Sequence, residues 1–324
     1  MSELYRFLGD TGVKVSKLCL GTMTFGTEWT QVASLSQAEA DALVGRALDA
    51  GINFFDTADV YHGGQSEEYL ARALGARRAQ AVIATKVRGR VSPDANDVGL
   101  SRRHVRRSVE QSLRRLDTDY IDLYQVHGWD ARTPLEETLS TLDDLVREGK
   151  VRYLGASNFA GWQLARALGV SERRGWERFV TLQPLYNVLQ RELELELLPL
   201  CRDQRLGVLP WSPLAGGLLA GVLGTIEGGR RAGDWVQEDL PKHRPRIEAY
   251  ETFCEELGER PADVALAWVL ANPAVTAPII GPRTLEQLDG ALRALELTLD
   301  EASMARLDEI FPGPGGAAPE AYAW

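Results

Sequence analysis

Short runs of β-branched and apolar residues recur along this chain, separated by longer segments in which apolar positions return every three or four residues. The short runs predict strands at Leu18–Leu20, Asn53–Phe55, Ala81–Ala84, Tyr120–Val126, Val151–Gly155, Phe179–Gln183, Gly207–Pro210 and Ala277–Ile280. The longer segments predict helices at Gln37–Ala50, Glu67–Leu74, Arg102–Leu116, Leu135–Glu148, Gly161–Leu168, Leu193–Gln204, Arg244–Leu257 joined to Ala262–Ala271, and Thr284–Leu295. Strand–helix alternation of this kind is the signature of a parallel α/β architecture. Ser101, and Thr133 before Pro134, read as helix starts, and Gly51 and Gly149 stand where helices should stop.

Two pieces fall outside the eight βα units: a hairpin over Tyr5–Val15, turning at Gly9-Asp10-Thr11-Gly12, and an extra C-terminal helix over Asp300–Phe311. Gly224–Pro245 reads as one long loop after strand seven. Eight units make either a closed barrel or a doubly wound sheet with added strands. The dinucleotide fingerprint GxGxxG occurs nowhere, since Gly313 and Gly315 are followed by Ala318. The expected fold is therefore a (β/α)8 TIM barrel, whose chemistry gathers at the C-terminal ends of its strands. No linker divides the 324 residues, so residues 1–324 are expected to form a single barrel domain.

A composition of 44% hydrophobic and 25% charged residues adds only that the chain is ordinary globular protein. The net charge of -10 argues against nucleic acid and anionic membrane as partners, and requires a local basic site for any anionic cofactor. The arginine-rich segment Ser101–Arg115 is read as a solvated outer barrel face, because it carries no stacking aromatics. Cys19, Cys201 and Cys254 are odd in number and lack CxxC spacing, which fits a reducing compartment; with no signal-peptide core at the N-terminus, a cytoplasmic location is expected. The weakly polar stretch Val208–Ile226 is broken by Pro210, Pro213 and glycines, and reads as strand and loop rather than a membrane span.

Polar residues that directly follow apolar runs mark the expected barrel mouth: Asp56, Lys86, His127 and Asn158, with Tyr61 five residues beyond Asp56. A tyrosine titrates near 10, so as an acid at neutral pH it is helped by a nearby cation that stabilises the phenolate. Lys86 can be that cation, and Asp56 can keep it charged in a partly dry site. His127 can hydrogen-bond a substrate oxygen or assist proton relay. Singly, each residue has a structural explanation as a turn, core or surface group. Their joint placement at strand ends gives the chemical reading its weight.

The segments LGTMTFG (Leu20–Gly26), GINFFDTADVYHGGQSEEYLARAL (Gly51–Leu74), IATK (Ile83–Lys86), VRYLGASNF (Val151–Phe159), TLQPLYNVLQR (Thr181–Arg191) and LPWSPLAGGLLAG (Leu209–Gly221) resemble, in order, the motifs of the aldo-keto reductase family. The resemblance implies a catalytic tetrad of Asp56, Tyr61, Lys86 and His127, with Tyr61 as general acid in carbonyl reduction. It implies NADPH or NADP+ extended across the mouth, near Gly21, Thr22 and Met23. Ser157, Asn158 and Gln183 would hold its carboxamide, Trp211 would stack on the nicotinamide, and Ser212, Pro213, Leu214 and Gly216 would meet the pyrophosphate. Gly281, Arg283 and Gln287 would form the 2′-phosphate loop, Arg283 making the charged contact. The chain departs from the pattern at Gly290-Ala291, where Glu-Asn is frequent, and at Val222, where Lys is frequent; Arg230 or Arg231 on the long loop could compensate.

Phe25, Trp29, Tyr61 and Trp129 are expected to wall a pocket for a small-molecule carbonyl substrate, with Tyr322 and Trp324 closing over it. No metal is expected, because His62, His104, His127 and His243 lack ligand spacing. No tyrosine has a lysine four residues on, which excludes the short-chain dehydrogenase pair. The alternative from another class is an NADPH-binding regulatory protein of the channel β-subunit type, with little turnover. Oligomeric state, monomer or homo-oligomer, is left open by the sequence.

Overall fold

The computed structural model describes residues 4–29, 34–224 and 234–318. Arg230, Arg231, Tyr322 and Trp324, offered above as clamp and lid residues, lie outside the described residues. The chain opens with the expected hairpin, β1 (Tyr5–Phe7) and β2 (Lys14–Ser16), paired antiparallel. Its turn needs Gly9: at φ 57 a Cβ there would stand 2.2 Å from the carbonyl oxygen of Val180, inside the barrel wall. The hairpin therefore sits hard against the barrel.

Eight strands follow: β3 (Cys19–Gly21), β4 (Phe54–Asp56), β5 (Val82–Val87), β6 (Ile121–Val126), β7 (Val151–Ser157), β8 (Phe179–Gln183), β9 (Gly207–Val208) and β10 (Ile279–Ile280). Every neighbour pairs in parallel, in the order β10-β3-β4-β5-β6-β7-β8-β9. Backbone bonds from Thr276 N to Val208 O and from Ile279 N to Pro210 O, each 2.8 Å, join the two edges and close the ring. Cys19, Phe54, Ala84, Leu123, Leu209 and Ala277 fill the interior, and Leu8 and Val15 of the hairpin join that cluster. The barrel is thus a packed core that leaves polar groups at one rim.

The outer layer comprises α1 (Gln37–Asp49), α2 (Gln65–Leu74), α3 (Arg102–Arg115), α4 (Leu135–Arg147), α5 (Gly161–Arg174), α6 (Leu197–Asp203), α7 (Asp234–Leu257), α8 (Pro261–Ala271), α9 (Leu285–Arg293) and the added α10 (Glu301–Ile310). Local chemistry sets several boundaries. Ser36 and Glu39 form a capping box on α1, Ser101 accepts from the His104 backbone to start α3, and Asp300 does the same for α10 through Ser303. Gly51 and Gly149 adopt positive φ where helices end.

Two expectations fail. Thr133 does not cap α4: its hydroxyl donates to Asp130, and Pro134, at ψ 130, is the last non-helical residue. The segment read as loop to Pro245 is helical from Asp234 onward, through Pro241 and Pro245. Leu240, Ile247, Tyr250 and Cys254 form a buried stripe at helical spacing, and its burial offsets a proline penalty of about 3 kcal/mol per site. Four arginines of α3 are ion-paired to neighbours: Arg102 and Arg106 with Asp144, Arg106 also with Glu148, Arg107 with Asp97, and Arg115 with Glu67. Among the described residues, no helix is long and apolar enough to cross a membrane.

Candidate active site

Register brings the polar residues to one rim. Asp56 ends β4 opposite Gly21 and Ala84, Lys86 on β5 pairs with Gln125 on β6, and Ser157 on β7 pairs with Gln183 on β8. Lys86 is fully buried, an arrangement that only complete pairing makes tolerable. Its Nζ donates to Asp56 Oδ1 at 2.5 Å, to the Thr57 carbonyl at 2.8 Å and to Tyr61 Oη at 3.3 Å. All three ammonium protons are thereby used. Burial alone would lower the Lys86 pKa, but Asp56 and Tyr61 outweigh it and hold the pKa above its ordinary value.

The second carboxylate oxygen of Asp56 accepts from Gln183 Nε2 at 2.8 Å and Gln125 Nε2 at 3.1 Å. Gln125 escaped the sequence reading, although a glutamine inside the apolar run of β6 was a visible signal. Tyr61 lies on the turn after β4, its ring edge-on to His127 at 5.9 Å between centroids. Burial raises the Tyr61 pKa, Lys86 pulls it down, and Asp56 pushes it up again; the net direction is upward. The phenol is therefore protonated at neutral pH. Burial, aided by Lys86 and Arg88, pushes the His127 pKa down to about 3, so the imidazole is neutral and serves as a hydrogen-bonding group rather than a proton reservoir.

A cavity of about 750 Å³ opens above these groups, within the usual size of small-molecule sites. Asp56, Tyr61 and His127 line its inner end together with Gly21 and Met23. Ser157, Asn158, Gln183, Trp211, Ser212, Pro213, Leu214 and Gly216 line its middle, and Gly281, Arg283 and Gln287 its far end. Asn158, held at φ 54, ties the parts together: its Nδ2 donates to the His127 carbonyl and to Ser157 Oγ, and its Oδ1 accepts from Trp211 Nε1 at 3.0 Å. That bond fixes the plane of an indole that is 36% exposed to the cavity. Thr22 lies beneath the site instead, its hydroxyl bonded to Ser66 and to the Asp56 carbonyl.

The expected substrate walls do not all meet. Phe25 is fully buried in the main core, so it is a packing residue and not a pocket wall. Trp29 stacks on His62 at 4.9 Å and stands edge-on to Tyr61 at 6.0 Å, facing a second, smaller cavity beside the first. Trp129 packs against Phe159 and Trp162, away from the main cavity. Loop aromatics satisfy each other before they face a ligand, and their spacing in sequence does not reveal which choice is made. Arg260, Asp263 and Leu266, which sequence reading did not single out, line the far end.

Close to Lys86 lies a buried acidic pair, Asp59 and Glu67. Glu67 is paired with Arg115 and accepts from Thr85 at 2.6 Å. Asp59 makes no ion pair among the described residues, and burial together with Glu67 pushes its pKa up to about 8, against the weaker pull of Arg115 and Ser108. The folded protein keeps this proton while the unfolded chain, near 3.8, has lost it, so the folded state loses stability as pH rises from about 4 to about 8. Asp59→Asn is expected to match the wild type in thermal melts at about pH 4 and to exceed it at about pH 9 by about 2 kcal/mol or more. Parallel melting curves at both pH values would contradict this assignment.

The sequence profile of the aldo/keto reductase family matches residues 17–311. An uncharacterised oxidoreductase of Bacillus subtilis, YrpG, is 48% identical over 99% of both chains. Versiconal hemiacetal acetate reductase of Aspergillus parasiticus is 35% identical over 95% of this chain and 96% of its own. A probable voltage-gated potassium channel subunit beta of Arabidopsis thaliana is 34% identical over 90% of this chain and 91% of its own. With a parallel eight-stranded barrel, a Lys–Asp pair buried at its rim and a match over nearly the whole sequence, the chain belongs to the aldo/keto reductase family and is an oxidoreductase.

Proposed function

We propose that the protein reduces an aldehyde or ketone to the alcohol with NADPH, Tyr61 supplying the proton. One observation carries this reading: Lys86 donates to Tyr61 Oη, so the phenol accepts from the interior and its own proton is left to point into the cavity. The neutral His127 beside it can hold a carbonyl oxygen in line with that proton. Asp56, pinned by Gln125 and Gln183, keeps Lys86 charged, and Lys86 stabilises the phenolate as it forms.

The cavity fits a dinucleotide. It runs from Tyr61 and His127 to Arg283, carries the fixed indole of Trp211 in its middle, and has Arg260 and Arg283 in its lining, in a chain whose net charge is -10. When bound, the reduced nicotinamide supplies the hydride for the carbonyl carbon. Ser157 and Asn158 would hold the nicotinamide end, the turn from Ser212 to Gly216 would meet the pyrophosphate, and Arg283 with Gln287 would receive the 2′-phosphate.

A carbonyl panel assayed by NADPH oxidation tests the proposal. Sustained turnover with an activated aldehyde, at about 1 s⁻¹ or faster, is the expected result. The name of the Arabidopsis relative favours keeping a second reading, a redox-sensing subunit, and tight NADPH binding without sustained turnover on any carbonyl would select it.

A further inference from the structure

The outer end of the cavity differs from the rest in its chemistry. Arg260, the residue before α8, turns its guanidinium across the groove to α9, so closely that a Cβ on Gly290 would stand 2.3 Å from one of its terminal nitrogens. Its Nε and Nη2 are spent on the buried carboxylate of Asp263, at 2.8–3.0 Å, which also lies 3.7 Å from Arg293. The guanidinium plane is thus held in place, and its charge is already matched. The same stretch of lining holds the apolar residues Ala262, Leu266 and Ala291 beside the polar Glu286 and Gln287.

We propose that Arg260 is the adenine platform of this enzyme, a planar cation against which the purine of the bound dinucleotide lies. This rests on the dinucleotide reading given above. A guanidinium neutralised by a carboxylate along one edge is a poor anchor for a phosphate dianion, but its face still stacks on a neutral heterocycle. Alanine, alanine and leucine beside it give that heterocycle an apolar slot. Arg283, which lines the same cavity, is the residue this reading assigns to the phosphate. Gly290 is the feature that admits the platform: any side chain there would push the guanidinium out of the groove.

Quenching of tryptophan fluorescence measures the binding of NADPH, NADH and reduced nicotinamide mononucleotide, the last of which has no adenine. Arg260→Ala should weaken NADPH and NADH alike, by about tenfold, and leave the mononucleotide at its wild-type affinity. Arg283→Ala should weaken NADPH alone. Gly290→Ala guards against a folding artefact, because alanine favours the helix α9 while displacing Arg260; it should keep or raise the melting temperature and still weaken both dinucleotides. Loss of NADPH binding alone on Arg260→Ala makes Arg260 a phosphate ligand and overturns the proposal, as does unchanged binding of both dinucleotides. A wild-type protein that binds neither dinucleotide instead overturns the cofactor reading beneath it.

Discussion

Tyr61→Phe is expected to lower kcat for aldehyde reduction by about 10²–10⁴-fold while NADPH affinity stays within about twofold of the wild type. The substitution removes one oxygen and nothing else. The ring keeps its edge contacts with Trp29 and His127, and Lys86 keeps its bonds to Asp56 and the Thr57 carbonyl. What disappears is the only hydroxyl that both accepts from Lys86 and faces the cavity among the described residues. His127 cannot replace it as a proton source, because with a pKa near 3 it carries no spare proton at neutral pH. Stopped-flow and steady-state assays of NADPH oxidation, paired with a binding titration, read the two effects separately. A variant that keeps a tenth or more of the wild-type rate would show that the proton comes from elsewhere.

The barrel, and the gathering of Asp56, Tyr61, Lys86 and His127 at its rim, were legible in the sequence for the same reason. Buried strands must be apolar, so a polar residue at the end of an apolar run stands out, and parallel register then carries successive strand ends to one rim. Gln125 lies inside β6 rather than directly after it, and its place at the site shows only in the structure, where it donates to Asp56 without lining the cavity. The loops were less legible. Phe25, Trp29 and Trp129 were grouped as pocket walls on residue type, yet one is core, one stacks on His62 and one packs on Phe159. No period in the sequence encodes where a loop aromatic turns. Pro241 and Pro245 misled in the opposite direction, since a local penalty was outweighed by burial that depends on the whole fold. The Arg260–Asp263 pair was invisible because its meaning depends on Gly290, thirty residues away and across the groove.

Lys86→Met carries the largest combined effect on stability and activity. Methionine fills most of the space, but it leaves the Asp56 carboxylate almost completely buried with only two amide donors, those of Gln125 and Gln183. Removing one partner of a buried ion pair costs about 3–5 kcal/mol, an expected drop of roughly 5–15 °C in Tm. Activity should fall with Tyr61→Phe-like severity for a separate reason: Lys86 is the group that pulls the Tyr61 pKa down, and without it burial raises that pKa unopposed. The double variant Asp56→Asn/Lys86→Met separates the two effects. Replacing both charges removes the uncompensated carboxylate, so most of the lost stability should return while the enzyme stays inactive. A single variant that melts like the wild type would mean that the pair is not electrostatically coupled. A double variant that regains activity would mean that the lysine does not serve the tyrosine.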